Sequence, residues 1–423
     1  MVVENGRTAA RRCKLVCRNR KICMGLSRRL FIEAAGAFGA GQAIGSATEA
    51  RASVQPNRYR ILWVAAKANE DLRGTRAYSL SNNGQLSGDY GNSAKGHTAP
   101  FLFRPNLDFT AGEFIPLETF LPPTASRLIL SGPAAINDAG VLAGGAFRRV
   151  RGVAVNFAYR LHPPSPFEAT WRLEKGPDLD SGCEATEVRL SNAGDVVFCT
   201  TSPGFEGTKS GTRLTAWLPG ASNYTDLNAG RLVNDGMRPI GCCRVGNTLM
   251  MGVSGVDSGS VRGHRLDYDV VTGEREFHRL PNAAVQPGAL GMNARGEVVG
   301  CYLTQVTRGV VERGFQRTAD PWTLTLGTFG GERSAAYSIN SNRDMVGHAD
   351  YLTDRGSKSR ITAFLCKGCR MWELAPLIEG GAPASLSTAQ LLINDQGLIA
   401  GNVDGPYAAA RADDRAFILV PSH

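Results

Sequence analysis

Histidine and acidic side chains are the residues of this sequence that could act as acids, bases or metal ligands. The six histidines are spread along the chain, and no two have the close spacing of metal ligands. The acid pairs Asp178–Asp180 and Asp267–Asp269 lack the further oxygen ligands and the glycine of a calcium loop. The sequence therefore predicts no catalytic, cofactor-binding or metal-binding residues, although a Ser–His–Asp set assembled from distant loops stays open.

Cysteine offers a second kind of chemistry. Seven of the ten cysteines follow residue 52, and an odd number leaves at least one without an intramolecular disulfide partner. Cys366 and Cys369 form a Cys-x-x-Cys motif, but no helix start follows it and no second ligand pair accompanies it. The pair is instead expected to flank a two-residue turn. Facing residues of such a hairpin lie about 5.5 Å apart at Cα, so we predict a Cys366–Cys369 disulfide.

The elements that position these side chains belong to a repeated hairpin, seen most clearly in residues 393–401. An asparagine there can accept a hydrogen bond from the backbone two residues on, and a glycine three residues later can take positive φ. Apolar residues on both sides are expected to pair as strands. The position of the turn glycine recurs at intervals of 47 to 56 residues, at Gly84, Gly140, Gly194, Gly246, Gly296, Arg343 and Gly397.

Two copies of the hairpin depart from the pattern. The fourth has Cys243 in place of the asparagine, and we expect it to form a blade nonetheless. The sixth has Arg343 in place of the glycine, which predicts that the turn shifts and that Asn342 takes the left-handed conformation.

Each repeat carries four short strand-like segments, and no segment after the leader has a sustained helical period. A unit of about 50 residues with four strands has the size of one propeller blade. The sequence therefore predicts an all-β, seven-bladed β-propeller of four-stranded blades over residues 53–423. An open β-solenoid and a pair of β-sandwiches are the alternatives.

The two ends of this region are expected to close the ring. The seventh unit ends after the strand at residues 416–420 and lacks a fourth strand. The apolar segment at residues 59–66 precedes the first hairpin by the gap that separates a fourth strand from the next hairpin elsewhere. Because an unpaired edge invites aggregation, we predict that residues 59–66 complete the seventh blade, antiparallel to residues 416–420.

Residues 1–52 differ in composition from the rest of the chain. They hold ten of the 47 basic residues and three of the 38 acidic ones, so 37 basic and 35 acidic residues remain. The basic balance of the whole chain thus comes from this leader. It gives no support for nucleic-acid binding, which needs a clustered basic surface.

The leader resembles a twin-arginine signal peptide, with Arg28, Arg29 and Phe31 as the motif. The apolar run that follows is too short and too polar for a transmembrane span, and small residues precede a cleavage point ahead of Ser53. We expect export to the periplasm or the outside of the cell. Translation from Met24 instead of Met1 stays open.

The repeats are similar to the HAF-type probable extracellular repeat family. The likeness rests on an apolar-Asn-x-x-Gly hairpin, a His-Ala-Phe-aliphatic segment and a Leu-Gly-x-aliphatic-Gly-Gly segment, matched here by residues 335–340, 362–365 and 326–331. It covers residues 77–423, but the histidine of the signature is absent, with Thr362 in its place. The resemblance implies an exported repeat protein with no catalytic residues to carry over.

The sequence is compatible with two functions. The first is a non-enzymatic monomer, without cofactor, that binds a protein or a glycan on one face of the ring. The second is a periplasmic hydrolase or lyase acting on carbohydrate at the channel mouth. Sparse histidines and the repeat-like placement of polar residues favour the first. Three or more charged side chains converging within about 5 Å, with displaced pKa values, would favour the second.

Export is testable through the arginine pair. Changing both Arg28 and Arg29 to Lys keeps the charge but removes the guanidinium groups, which lysine does not replace. We expect the precursor to accumulate in the cytoplasm, measured by fractionation. A single Lys14→Arg change in the same leader is the control, and unchanged export of the double variant would contradict the assignment.

Overall fold

The computed structural model describes most of the chain after the leader. The described residues are 56–64, 72–92, 97–125, 127–166, 168–201, 212–227, 238–257, 260–279, 288–306, 309–317, 323–352, 359–368, 370–382, 386, 391–403 and 415–422. They form seven four-stranded antiparallel sheets, which confirms the all-β, seven-bladed β-propeller. Residues 57–423 make up one compact unit. The signal motif at Arg28, Arg29 and Phe31 lies outside the described residues and stays a prediction.

Each blade starts at the channel and runs outwards. The innermost strands are β2 (Leu72–Leu80), β6 (Leu128–Ile136), β10 (Glu184–Leu190), β14 (Arg238–Val245), β18 (Gly288–Met292), β22 (Gly330–Ile339) and β26 (Leu392–Ile393). The second strands are β3 (Leu86–Asn92), β7 (Leu142–Val150), β11 (Val196–Thr201), β15 (Thr248–Asp257), β19 (Val298–Val306), β23 (Met345–Leu352) and β27 (Ile399–Val403).

The outer half of each blade completes the sheet. The third strands are β4 (His97–Pro105), β8 (Val153–His162), β12 (Thr212–Trp217), β16 (Ser260–Asp269), β20 (Gly309–Arg317), β24 (Ser359–Lys367) and β28 (Arg415–Ser422). The outermost strands are β5 (Gly112–Pro116), β9 (Arg172–Lys175), β13 (Thr225–Asp226), β17 (Arg275–Arg279), β21 (Thr323–Thr325), β25 (Arg370–Glu373) and β1 (Arg58–Trp63). The described helices are three 3₁₀ turns at Leu117–Phe120, Pro123–Ala125 and Ala375–Leu377, and no described helix is long and apolar enough to cross a membrane.

The N-terminal strand closes the ring as predicted. Strand β1 pairs antiparallel with β28, from Arg58 opposite Ser422 to Trp63 opposite Phe417. It also ties blade 7 to blade 6, because the Tyr59 carbonyl accepts the Glu379 N–H at 2.8 Å. Tyr59 and Leu62 of β1 are buried in two different cores, Tyr59 between blades 6 and 7 and Leu62 between blades 7 and 1, so the strand adds apolar surface on both sides of blade 7.

The two irregular repeats fold into blades. The fourth unit forms β14 to β17, with a tight turn between the facing residues Val245 and Thr248. In the sixth unit the turn does not shift, so the expectation for Asn342 is wrong. Arg343 itself takes the left-handed conformation, with φ of 68°. Its Nε donates to Glu297 Oε1 of blade 5 at 2.9 Å, which offsets the strain of positive φ.

The Cys-x-x-Cys segment has a different register from the one expected. Cys366 lies opposite Met371, and Lys367 lies opposite Arg370, so Cys366 does not face Cys369 across a two-residue turn as expected. Cys369 itself lies outside the described residues, and the Cys366–Cys369 disulfide stays a prediction.

Removal of the closing strand tests its role in stability. A chain that begins at Lys67 lacks three buried side chains, Tyr59, Leu62 and Val64. Each such burial is worth about 1.5–3 kcal/mol, so we expect the unfolding free energy in urea to fall by several kcal/mol. A chain that begins at Asn57 keeps β1 and is the matched control. Equal midpoints for the two chains would contradict closure by β1.

Candidate functional site

The seven innermost strands surround a cavity of about 470 Å³ on the propeller axis. Its lining includes the residue directly after the turn-asparagine position of every blade. We call these seven residues the turn-side mouth: Asn82, Asp138, Asn192, Arg244, Ala294, Ser341 and Asp395. The hairpin repeat thus delivers one side chain per blade to the same end of the channel.

The turn asparagines hold their own hairpins in the expected way. Asn137 Oδ1 accepts hydrogen bonds from the backbone N–H groups of Ala139 and Val141, at 3.1 and 3.0 Å. Asn394 does the same with Gln396 and Leu398, at 3.1 and 2.9 Å. The amide oxygen therefore fixes the loop that places the mouth residue.

The amide nitrogen of the same side chain performs a second task. Where the position holds asparagine, Nδ2 donates to the backbone carbonyl at the equivalent position of the next blade. The four bonds, of 2.9 to 3.1 Å, are Asn137 to Ser191, Asn293 to Asn340, Asn340 to Asn394 and Asn394 to Ser81. The other three blades have Ser81, Ser191 and Cys243 at this position. One side chain thus shapes a turn and joins two blades.

Five of the mouth residues form a continuous polar arc from blade 6 through blade 7 to blade 3. Asn82 stands at its centre, because its Nδ2 donates to Asp138 Oδ2 at 2.8 Å and to Asp395 Oδ2 at 3.1 Å. Asn192 Nδ2 donates to Asp138 Oδ2 at 2.7 Å, and the Ser341 N–H donates to Asp395 Oδ1 at 2.6 Å. The amide and carboxylate groups alternate along the arc and are fixed before any ligand arrives.

The remaining two blades interrupt the arc. Arg244 reaches back to blade 3, where its Nη1 lies 2.6 Å from the fully buried Asp195 Oδ1. The Ser191 hydroxyl donates to the other oxygen of that carboxylate at 2.7 Å. Blade 5 presents Ala294 at the mouth. The mouth is therefore acidic on the side of Asp138 and Asp395, and it carries one arginine on the opposite side.

Two tyrosines line the cavity deeper along the channel. Each is the extra residue of a bulge in its innermost strand, since the register shifts between Ala77 and Ser79 and between Ala336 and Ser338. The Arg189 guanidinium of blade 3 lies 4.6 Å from the ring of Tyr78 in blade 1 and donates to its hydroxyl. This contact joins blades that are not neighbours, because blade 2 has small residues there.

The second tyrosine pairs with a histidine. The Tyr337 hydroxyl is hydrogen-bonded to His348 Nδ1. Burial raises the pKa of Tyr337, with smaller contributions from Glu312 and Cys301, and burial lowers the pKa of His348. Both groups are therefore neutral at neutral pH. A tyrosine and a histidine that exchange a proton with a substrate would be in this state before the reaction.

Sequence reasoning found the scaffold of the site but not its residues. The arc was readable, since the position after the turn asparagine holds Asn82, Asp138, Asn192, Ser341 and Asp395. The pairing of Tyr337 with His348 depends on a bulge, for which the repeat pattern gives no signal. Among the described residues, no three His, Cys, Asp or Glu side chains are grouped to hold a metal ion.

No protein-family model matches the sequence, and no curated protein sequence matches it. Solved structures of similar fold include the β-propeller domain of the Trilobed protease from Pyrococcus furiosus, with 10% identity over 66% of this chain and 81% of that chain and a TM-score of 0.43. Dipeptidyl peptidase 4 from Porphyromonas gingivalis gives 10% identity, 70% and 45% coverage and a TM-score of 0.40. Polysaccharide lyase Uly1 gives 10% identity, 87% and 91% coverage and a TM-score of 0.38. These likenesses concern the fold alone.

Proposed function

We propose that this protein is an exported propeller of the HAF-repeat type that binds a glycan at the turn-side mouth without catalysing a reaction on it. The polar arc carries the proposal. A glycan presents rows of hydroxyl groups, and alternating carboxylates and amides offer both acceptors and donors to them. Hydroxyl donors to a carboxylate also form charge-assisted hydrogen bonds, which are stronger than neutral ones.

Pre-organisation supports binding at this place. Each oxygen of Asp138 and Asp395 already accepts a hydrogen bond from an amide or a backbone N–H. A carboxylate oxygen has about two lone pairs, so Asp138 Oδ1 and both oxygens of Asp395 can accept a further bond from a ligand hydroxyl, whereas Asp138 Oδ2 already accepts two. Because neighbouring blades hold the side chains in place, little conformational entropy is lost when the ligand binds.

The same contacts argue against acid–base catalysis at the mouth. The charged side chains do not converge, because Arg244 is directed to Asp195 and away from the two mouth carboxylates. Asp138 and Asp395 are bridged by the Asn82 amide, whose two contacts are 2.8 and 3.1 Å. The shared amide donor holds the two carboxylates as fixed hydrogen-bond acceptors.

A second function is favoured by a different observation. Tyr337 lines the same cavity, deeper than the arc, and its hydroxyl is hydrogen-bonded to His348 behind it. A tyrosine hydroxyl backed by an imidazole can pass a proton to or from a sugar oxygen or carbon. This pair supports the alternative of a carbohydrate-active lyase or hydrolase, with the arc as its substrate-binding rim.

Export to the periplasm or the outside of the cell belongs to the proposal. The twin-arginine-like leader and the extracellular-repeat motifs support it. A monomeric propeller would meet surface glycans in that location.

Binding is tested on a glycan array, followed by titration of the best ligand. We expect Asp138→Asn to weaken binding at least about tenfold, because an amide loses the charge and one acceptor and brings its own N–H₂ against that of Asn82. Asp180→Asn, an exposed acid outside the channel, is the matched control. Equal affinity of the Asp138→Asn variant and the wild type would contradict binding at the mouth. Glycan cleavage that is lost in Tyr337→Phe would instead establish the enzymatic alternative.

A further inference from the structure

Blade 4 replaces the turn asparagine with a sulfur side chain and places another directly beside it. Cys243 on β14 lies opposite Met250 on β15. Side chains of directly facing residues share one face of the sheet, with Cβ atoms about 4.5–5.5 Å apart. This face looks towards blade 5, because a Cβ placed on Gly296 of that blade would lie 2.7 Å from Met250 Sδ.

Blade 5 contributes a third sulfur at the same junction. Met292 packs over Gly241 and Gly252, which face each other in blade 4. A Cβ atom built on Gly241 would lie 2.9 Å from Met292 Cβ, and a Cβ atom built on Gly252 would lie 3.7 Å from Met292 Cβ. The end of the Met292 side chain lies near Gly296. Met292 Cε is 3.6 Å from the Cβ position built on Gly296, the position that is also close to Met250 Sδ. The recess formed by the two glycines therefore brings Met292 alongside Met250.

Gly296 is the common neighbour of all three side chains. Both methionines lie within contact distance of its Cβ position, and its backbone lies beside the thiol of Cys243, which faces Met250 across the hairpin. One thiol and two thioethers from two blades are thus gathered around a single glycine. Cys243 and Met292 also line the channel cavity, so a small ion can reach them from the turn-side mouth.

We propose that Cys243, Met250 and Met292 form a binding site for Cu(I) at the junction of blades 4 and 5. Thiolate and thioether sulfurs are the ligands that select this soft ion, and the three side chains suit a three-coordinate arrangement. The charge balances, because the Cys243 S–H proton leaves to solvent and the Sγ–Cu bond forms with no change in oxidation state. Thiolate and monovalent ion are neutral together, whereas a divalent ion would leave a net charge in a buried place.

Packing alone would not require this arrangement. Met251, the next residue on β15, is fully buried and belongs to the core shared with blade 3, so its sulfur faces away from the junction. At the junctions of blades 5, 6 and 7, the position of Cys243 holds an asparagine that links the blades. In blade 4 this position holds Cys243, which lacks the amide that links the other blades and has a thiol in its place.

The test is a competition titration of Cu(I), under anaerobic reducing conditions, against a chromophoric chelator of known affinity. All proteins are the full chain with Cys13, Cys17 and Cys23 changed to serine, which removes the thiols of the leader. We expect one tight equivalent in this background. We expect the affinity for this equivalent to fall by more than about tenfold in each of three variants, Cys243→Ser, Met250→Leu and Met292→Leu. Loss of a residue that only hydrogen-bonds to a metal ligand already costs about tenfold or more in metal affinity.

Matched controls separate the proposed ligands from other sulfurs. Met251→Leu, on the opposite face of the same strand, and Cys369→Ser should leave the tight equivalent unchanged. X-ray absorption at the copper edge should show sulfur neighbours only, three in number. Equal affinity of the wild type and Met250→Leu, or a copper environment of nitrogen and oxygen, would overturn the site even if one variant fails to fold.

Discussion

The hydrogen bond from a turn asparagine to the next blade is the interaction on which the rest of this propeller depends. The side chain of Asn394 illustrates it: Oδ1 caps its own hairpin, and Nδ2 crosses to the Ser81 carbonyl at 2.9 Å. A buried backbone carbonyl without a hydrogen-bond partner costs about 1–3 kcal/mol of stability. Each of these bonds supplies a donor to such a carbonyl at a junction between blades, where water does not supply one. A carboxylate could cap the turn but could not donate, which explains why asparagine recurs in the repeat.

The same bonds set the geometry of the channel. They hold four of the seven turns against the next blade. The residue after the turn position of every blade lies at one mouth, where Asp138, Asn82 and Asp395 are within hydrogen-bonding distance. Where the asparagine is missing, other contacts take over. Arg244 crosses to the buried Asp195 between blades 3 and 4, and sulfur side chains meet between blades 4 and 5. The departures from the repeat therefore mark the places where the mouth is chemically distinct.

The fold could be predicted from the sequence because it depends on short-range turn chemistry repeated seven times. The closing strand followed from counting strands, and the pairing of Arg58–Trp63 with Arg415–Ser422 confirms it. The turn at Arg343 was predicted wrongly, because its strain is offset by Glu297 of another blade, and pattern reasoning within one unit cannot include that contact. The polar residues of the arc follow the turn position in the sequence, but the hydrogen bonds that join them arise only when separate blades meet. The Tyr337–His348 pair was missed because it depends on a bulge, for which the repeat pattern gives no signal.

The most direct measurement of the central interaction is the unfolding free energy of Asn394→Asp in urea. Aspartate keeps the acceptor that caps the turn, but it replaces the donor to Ser81 with a carboxylate oxygen at a position that is only 4% exposed. The change therefore acts on the junction of blades 7 and 1 and leaves the hairpin cap in place. We predict a loss of about 1–3 kcal/mol at neutral pH, with no change for Asn223→Asp in an exposed loop. Unchanged stability of the Asn394→Asp variant would contradict the role of the turn asparagines in holding neighbouring blades together.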